Sequence, residues 1–508
     1  MERRSLWLAT AELPHYSAFD GDTEVDVAVV GAGLVGLTTA LLAQRDGARV
    51  LLLEGAQLGA GTTGKTTGKV TSQHGLVYAD LLDRHGEETA GRYAEANQAG
   101  VEKVVALAEE LDIDCELTRA PSYVYTRDPD QRDRIESEVD AAAKLGLPAS
   151  MASQVDLPFD IEAAVRFEDQ VHFHPGKYLA GLARALTDAG GVIHEDTRVT
   201  AVDELRDRSV NLTTATGSVH ADQAVVATLL PMGLIGGYFA KTRPSRSYAL
   251  AVRLAGKPPE SMAISIDAPT RSTRPWQDDG LIVVGNGHEP GAVDDTESLY
   301  QDLEDWTRST FDVASLEYRW SAQDYSTPDQ IPYIGRSPAS PMILVATGFK
   351  KWGLSNGTAA AMILADLLAD RDNPWLPAFD ASRVGDAQTV GRLVKDNLTV
   401  GKEFVGGRLN RDPIAAEDLA PGTGGVVDLD GKTVGGYRDR DDALHTVDLT
   451  CTHLGCPLHW NSAETSWDCR CHGSRFDVDG QILNGPSVKP LGTRTSMHEG
   501  ANTTEESR

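Results

Sequence analysis

Near its C-terminal end the chain carries two short loops, CTHLGC at residues 451–456 and CRCHGS at residues 469–474, each pairing a cysteine with a nearby histidine and adding a second cysteine. Thiolates and neutral imidazoles are metal ligands, and Cys451 with His453 and Cys469 with His472 supply four of them from two loops. A chain that brings these four together must fold its last stretch into a metal-holding unit of its own. On ligand type alone they suit a zinc ion. They equally suit an iron–sulfur centre in which two thiolates hold one iron and two imidazoles the other.

The residues around the ligands narrow the choice. CTHLGC and CxCHGS together resemble the Rieske family, especially members of the cytochrome bc type, over residues 405–493. The resemblance implies a small all-β domain whose 2Fe-2S cluster is held by Cys451, His453, Cys469 and His472. It implies further that Cys456 and Cys471 form a disulfide between the loops and that Ser474 hydrogen-bonds a cluster sulfide. Gly485, Pro486 and Ser487 fall where the family has a third, covering loop. One position departs: Phe476 stands where high-potential members carry a tyrosine that donates to a ligand sulfur. Such donors stabilise the reduced cluster, so the loss of one lowers its potential.

At the other end the apolar run VDVAVV from Val25 leads into Gly31, Gly33 and Gly36 of GAGLVG. This reads as strand, tight turn and helix: one glycine for the turn, one for close approach of a pyrophosphate, one for packing of the helix on the strand. A second strand, RVLLLE, ends in Glu54, placed to hydrogen-bond the ribose of an adenine dinucleotide. Four further segments decide between dinucleotides: GAGTTGKTTGKV, the DTRVTAV strand at 196–202, the ADQAVVAT strand at 221–228, and the run from Val345 to Leu368. Together they resemble the D-amino-acid oxidase and glycine oxidase flavoproteins over about residues 20–372. The resemblance implies bound FAD, with Thr63, Thr67, Gly68, Lys69 and Val199 joining the glycines and Glu54 around it. It places Gly348, Lys351 and Gly353 in a turn before a helix, Thr358 to Leu368, whose positive end faces the flavin ring.

Both resemblances in one chain match a group of bacterial and archaeal fusions of a D-amino-acid dehydrogenase-like flavoprotein with a Rieske domain. The expected fold is an α/β FAD-binding Rossmann-like domain interleaved with an α+β substrate cap, followed by a small all-β Rieske domain. Nucleotide-binding parts are expected at about 20–80, 180–230 and 331–372, and the cap at about 80–180 and 230–330. Residues 373–404 read as connector and 494–508 as a disordered tail. The 508 residues leave room for such a layout.

A net charge of −28 argues against nucleic acid, whose phosphates need a basic surface. Val27 to Ala43 is apolar enough to be mistaken for a membrane span, but its glycines and flanking Asp26 fit the nucleotide turn, so no transmembrane segment is expected. Arg3 and Arg4 before SLWL faintly suggest an export signal; the apolar stretch stops at Glu12 and Pro14, so a cytoplasmic protein is expected. Cys115, the lone cysteine outside the cluster region, reads as a core residue.

The substrate expectation rests on a departure. Amino-acid-oxidising relatives carry an arginine that grips the substrate carboxylate, and AQDYSTPDQIPYIG puts Asp324 in its place. If Asp324 faces the flavin, an amine-like substrate is favoured; alternatively it pairs with a base such as Arg319. Lys351 falls where relatives place a basic residue beside flavin and substrate, and Tyr325 and Trp352 are candidate pocket walls. The expected activity is an FAD-dependent dehydrogenase that oxidises a small molecule and passes electrons singly through the cluster to an external acceptor, a protein or a quinone-like compound. The alternative is a flavin–cluster relay serving a partner oxygenase or reductase. A Rieske oxygenase proper needs a two-His, one-carboxylate iron site, and His172 and His174 in VHFHP are too close together to supply it.

Overall fold

A computed structural model of the chain describes residues 1–384 and 413–494. These form two compact units, residues 1–287 with 299–384 and residues 288–298 with 413–494. The expected connector beyond residue 384 and the expected tail beyond Arg494 lie outside the described residues.

The first unit is built on two sheets. The strand Thr23–Val30 pairs in parallel with Val50–Leu53 on one side and Ser218–Val226 on the other. Val192–His194 and Ser340–Thr347 extend this parallel run, and Tyr333–Ser337 closes one edge antiparallel. The strand Val50–Leu53 is buried along its whole length, as expected of a sheet covered on both faces. Helices Leu34–Arg45 and Ser355–Leu368 share the main core with this sheet through Leu37, Leu41, Ala360 and Leu364. The long helix Tyr78–Glu110, broken at Gly86, crosses the second of these helices closely: a Cβ on Gly100 would stand 2.5 Å from the Ser355 carbonyl oxygen.

The second sheet runs, in spatial order, Val313–Ser326, Arg243–Leu254, Gly280–His288, Arg271–Trp276, Met262–Ser265, Thr118–Thr126, Ala163–His172 and Lys69–Val70. Helix Glu297–Thr310 covers one face, where Arg271 reaches Asp302 and both Tyr248 and Arg319 meet Tyr300. The opposite face packs Trp276, Ile282 and Trp320 against Leu6 and Trp7 of a short N-terminal helix.

The second unit consists of two four-stranded antiparallel-rich sheets, one spanning Ile414–Val447 and the other Leu458–Asn484. Its core is Val447, Leu449, Leu458, Trp467, Phe476 and Leu491, packed with the four cysteines of the loops.

Three expectations change. Residues 196–200 are not strand: Asp196 has positive φ, Thr197 donates to the Glu54 carbonyl, and regular pairing starts only at Ala201. The first part of the expected connector, 373–384, folds on the first unit through helix Leu376–Phe379 and an Arg383–Asp329 ion pair of 2.8 Å. Residues 288–298, expected in the cap, group with the second unit, where Thr296 donates to Asn461. Among the described residues no helix is long and apolar enough to cross a membrane.

Candidate cofactor sites

The nucleotide turn is fixed by glycines that cannot be replaced. Gly31 has φ +106° and a Cβ there would lie 2.7 Å from the Ala227 carbonyl oxygen; a Cβ on Gly36 would lie 1.9 Å from that of Gly31. Gly33 caps helix Leu34–Arg45 and offers no side chain of its own to the helix end. Thr63 completes the turn, accepting the Leu34 N–H at 3.1 Å. Glu54 lies at the end of the next strand and takes the N–H of Ala32 at 2.7 Å and of Ala56 at 3.0 Å. Burial raises its pKa, and those two hydrogen bonds act in the opposite sense. Val199 is buried just beyond Thr197, whose N–H reaches the Glu54 carbonyl. Helix-end N–H groups, glycines with no room for a Cβ and a carboxylate at the strand end fit the phosphate and ribose of FAD.

The segment from Thr62 to Lys69 ties this turn to the face of the second sheet that carries Trp276 and Trp320. Thr62 donates to the Gln323 carbonyl at 2.8 Å, and the carbonyls of Lys65, Thr66 and Thr67 accept from Trp320, Trp7 and Arg274 at 2.9, 2.6 and 2.7 Å. Gly68 has φ +77°, and a Cβ there would stand 2.6 Å from the Phe173 oxygen. Lys69 then turns its ammonium onto the sheet, donating to the Ala263 carbonyl at 2.9 Å and Ser272 Oγ at 2.6 Å.

Across the face, Asp324 is buried, and its oxygens accept the backbone N–H of Tyr325 at 2.7 Å and Lys351 at 2.5 Å. Burial raises its pKa to about 6. It does not pair with Arg319: five residues apart on one strand, the two side chains point to opposite faces, and Arg319 lies over Tyr300. Asp324 therefore braces the Gly348–Gly353 turn, in which Lys350 and Lys351 both have positive φ. Gly348 is required there, since a Cβ would stand 2.5 Å from Thr327 Cγ2. The Lys351 ammonium donates to Ser247 at 2.8 Å beside Gly287, where a Cβ would crowd it at 2.7 Å. Tyr325 is buried, with its hydroxyl taken by Gln323 at 3.0 Å.

Trp352 stacks on His74, with ring centroids 5.1 Å apart. His74 bonds Tyr93 at 2.6 Å and Ser355, the first residue of helix Ser355–Leu368, at 2.9 Å. Burial pushes His74 down to about 3, so it is neutral. Nothing in local spacing marked His74, Arg274 or Ser247. The alternation that puts Ser272, Arg274 and Trp276 on one strand face was the available signal for Arg274. Cys115 is buried and its thiol is pushed up to about 12, as a core residue.

In the second unit the two ligand loops are built alike. In each, the first cysteine's N–H reaches the carbonyl five residues on, Cys451 to Cys456 and Cys469 to Ser474, both at 2.8 Å. In each, a glycine with positive φ, Gly455 or Gly473, returns its N–H to that first cysteine at 2.9 Å. Cys456 and Cys471 form the implied disulfide. Cys451 and Cys469 remain buried thiols, hydrogen-bonded so that Cys451 is drawn down to about 6 and Cys469 is pushed up. The rings of His453 and His472 lie 5.1 Å apart and perpendicular. Two buried thiols and two adjacent imidazole rings, supplied by paired loops, are the donor set of a 2Fe-2S cluster with mixed ligands. Ser474 Oγ accepts the Ser487 N–H at 3.1 Å, and the Ser487 hydroxyl lies 3.5 Å from Cys451 Sγ. Phe476 is fully buried between Trp467 and Ile482 in the sheet.

Comparison with known proteins agrees with both cofactors. The family described as DAO, FAD dependent oxidoreductase, matches residues 26–367, and the Rieske [2Fe-2S] domain matches residues 413–495. The chain is 36% identical over 491 residues to a putative Rieske 2Fe-2S iron-sulfur protein, YhfW, of Bacillus subtilis, covering 96% of each. Over 95 residues it is 36% identical to cytochrome b6-f complex iron-sulfur subunit 1 of Synechocystis, covering 18% of this chain and 52% of that one. Glycine oxidase from Geobacillus kaustophilus shares the fold over 71% of this chain and 99% of its own, with a TM-score of 0.61 at 17% identity.

Proposed function

The chain belongs to the DAO family of FAD-dependent oxidoreductases and ends in a Rieske [2Fe-2S] domain, and from that premise we propose that it is a dehydrogenase that oxidises a small molecule and delivers the electrons to an external acceptor. Bound FAD supplies two-electron acceptance from the substrate and the cluster supplies transfer of electrons one at a time. The observation that carries the reading is the presence, in one chain, of a glycine turn shaped for a dinucleotide and of a domain whose two loops supply two buried thiols outside the disulfide and two adjacent imidazole rings. Joined in this way, the cluster gives electrons an exit other than oxygen, which favours a dehydrogenase over an oxidase.

The protein's own residues prepare the site. Gly31, Gly36 and Thr63 shape the turn for phosphate, and Glu54 presents its carboxylate at the strand end. Asp324 holds the Lys351 N–H and so fixes the turn that leads into helix Ser355–Leu368. Because both Asp324 oxygens are bonded to backbone, the preference for an amine does not rest on that residue. The external acceptor is a protein or a quinone-like compound, and the setting is cytoplasmic. Anaerobic titration of the holoprotein with amines, amino acids and 2-hydroxy acids tests the reading: a small metabolite should bleach the flavin.

A further inference from the structure

The apolar stretch behind Arg3 and Arg4 is folded into the first unit, with Ser5, Leu6 and Trp7 buried. Residues 2–19 run as an arm from one sheet of that unit to the other. At one end Glu2 joins the edge strand Val313–Ser326: its N–H donates to the Glu317 carbonyl at 2.7 Å, and its carbonyl accepts the Arg319 N–H at 2.9 Å. At the other end the Phe19 N–H donates to Thr197 Oγ1 at 2.9 Å, beside the strand end that carries Glu54. Between these anchors the arm grips residues 58–67, the segment with Thr63 and Thr67. Ser5 Oγ donates to the Gly64 carbonyl at 2.5 Å, and Trp7 Nε1 to that of Thr66 at 2.6 Å. Buried Glu195 takes the N–H of Tyr16 in the arm at 2.9 Å with one oxygen and that of Leu58 in the segment at 2.6 Å with the other. Leu8 closes over the bend: a Cβ on Gly59 or Gly64 would stand 3.2 or 3.0 Å from its Cδ2.

Trp7 also covers the lysine–arginine face of the second sheet. The Arg274 guanidinium lies 4.8 Å from the Trp7 ring and donates to the Thr67 and Phe173 carbonyls at 2.7 and 3.1 Å. It reaches His172 Nδ1 at 2.8 Å, and His172 pairs in register with Lys69. Burial, then the charges of Arg274 and Lys69, keep His172 neutral. Residues 59–68 are four glycines and four threonines with Ala60 and Lys65. A stretch so rich in glycine and so poor in apolar side chains has almost no core of its own, and its shape is set by the groups that reach it. Trp320 and Arg274 hold it from the sheet; the arm supplies the bonds at Gly64 and Thr66 and the cover at Gly59. Because Thr63 in this segment accepts the Leu34 N–H, loosening the segment also loosens the nucleotide turn.

We propose that the N-terminal arm is a clasp for the flavin: with Ser5, Trp7 and Leu8 seated, residues 58–67 stay closed on the nucleotide turn and FAD is retained, and FAD leaves when the arm lifts. The inference rests on FAD binding at that turn and is independent of the substrate and of the acceptor.

The holoprotein is diluted at a temperature well below unfolding and ultrafiltered at intervals, and FAD in the filtrate gives the rate of release. Trp7→Phe keeps a ring but leaves the Thr66 carbonyl without its donor, and release should be about tenfold faster. Ser5→Ala should speed it by less, and Ser5→Thr, which keeps the hydroxyl, should restore the wild-type rate. Removal of residues 2–12 should give the fastest release, slowed again by an excess of a peptide of residues 1–20. Dithionite should raise the same reduced-cluster signal in every variant. Release at the wild-type rate in Trp7→Phe or in the truncated chain would overturn the proposal, as would a truncated chain that the peptide does not slow. A lower unfolding temperature with unchanged release would also overturn it, by leaving the arm a stabilising element alone. Loss of the cluster signal together with FAD in Trp7→Phe would do the same, by revealing a general folding defect.

Discussion

The cluster loops and the lysine–arginine face assemble charged and ligating groups in opposite ways. Cys451, His453, Cys469 and His472 come from two six-residue loops closed by the same pair of backbone hydrogen bonds and tied by one disulfide. Lys69, His172 and Arg274 are brought together only because strands distant in sequence pair in one sheet, and no covalent or local device holds them. The first arrangement is self-contained and its failure should stay local. The second depends on the whole sheet, and any change in strand pairing would take it apart.

The most severe break of this contrast is Cys469→Ser. It should abolish the reduced-cluster signal in electron paramagnetic resonance while FAD stays bound and reducible, because the two units have separate cores. Simultaneous loss of both cofactors would show that the loops are not self-contained. Next comes Gly36→Ala, whose Cβ would meet the Gly31 oxygen at 1.9 Å. Such a clash costs at least about 1–3 kcal/mol, and purified protein should contain little FAD and a full complement of iron; normal FAD content would contradict the geometry assigned to the turn.

A pH experiment sharpens the comparison. His74 is neutral when folded, with its pKa down from 6.5 to about 3, so the unfolded chain binds its proton first as pH falls. Stability from this residue is present above pH 6.5 and is lost toward pH 3, by about 1.4 kcal/mol per unit. His74→Gln should give a shallower acid limb in the unfolding transition of the first unit, and an unchanged limb would count against a buried neutral imidazole. The smallest expected effect lies in the second unit. A metal-bound thiolate only accepts, so the Ser487 hydroxyl, 3.5 Å from Cys451 Sγ, should donate to it. Ser487→Ala should lower the cluster potential by on the order of a few tens of millivolts, and Phe476→Tyr should raise it, both read by voltammetry. A potential unmoved by Ser487→Ala would remove that hydrogen bond from the account.

These differences also explain what could be read from the chain. The ligand loops and the Gly31–Gly36 turn were legible because their chemistry lies within a few consecutive residues, and the disulfide only through the family resemblance those loops carry. Asp324 was found by motif, yet its task was not, since the N–H of Lys351 that it holds comes from a turn twenty-seven residues on. Arg274, His172 and Lys69 could not be joined without knowing which strands pair. Ser487 was placed in the covering loop, but its approach to Cys451 depends on how that loop closes. Residues 373–384 looked like linker because their few apolar side chains find their partners far away in sequence, Phe379 stacking on Tyr93 of the long helix.

The central claim is that electrons enter at the flavin from a small molecule and leave by the cluster. Anaerobic rapid mixing of the holoprotein with candidate acids, amines and hydroxy acids, followed at the flavin absorbance and by freeze-quenched electron paramagnetic resonance, tests it most directly. The account predicts that a small metabolite bleaches the flavin and that the reduced-cluster signal grows afterwards, with Cys469→Ser bleaching normally and showing no such signal. A flavin that no small molecule reduces, but that is reduced after the cluster when a separate reductase supplies electrons, would contradict it.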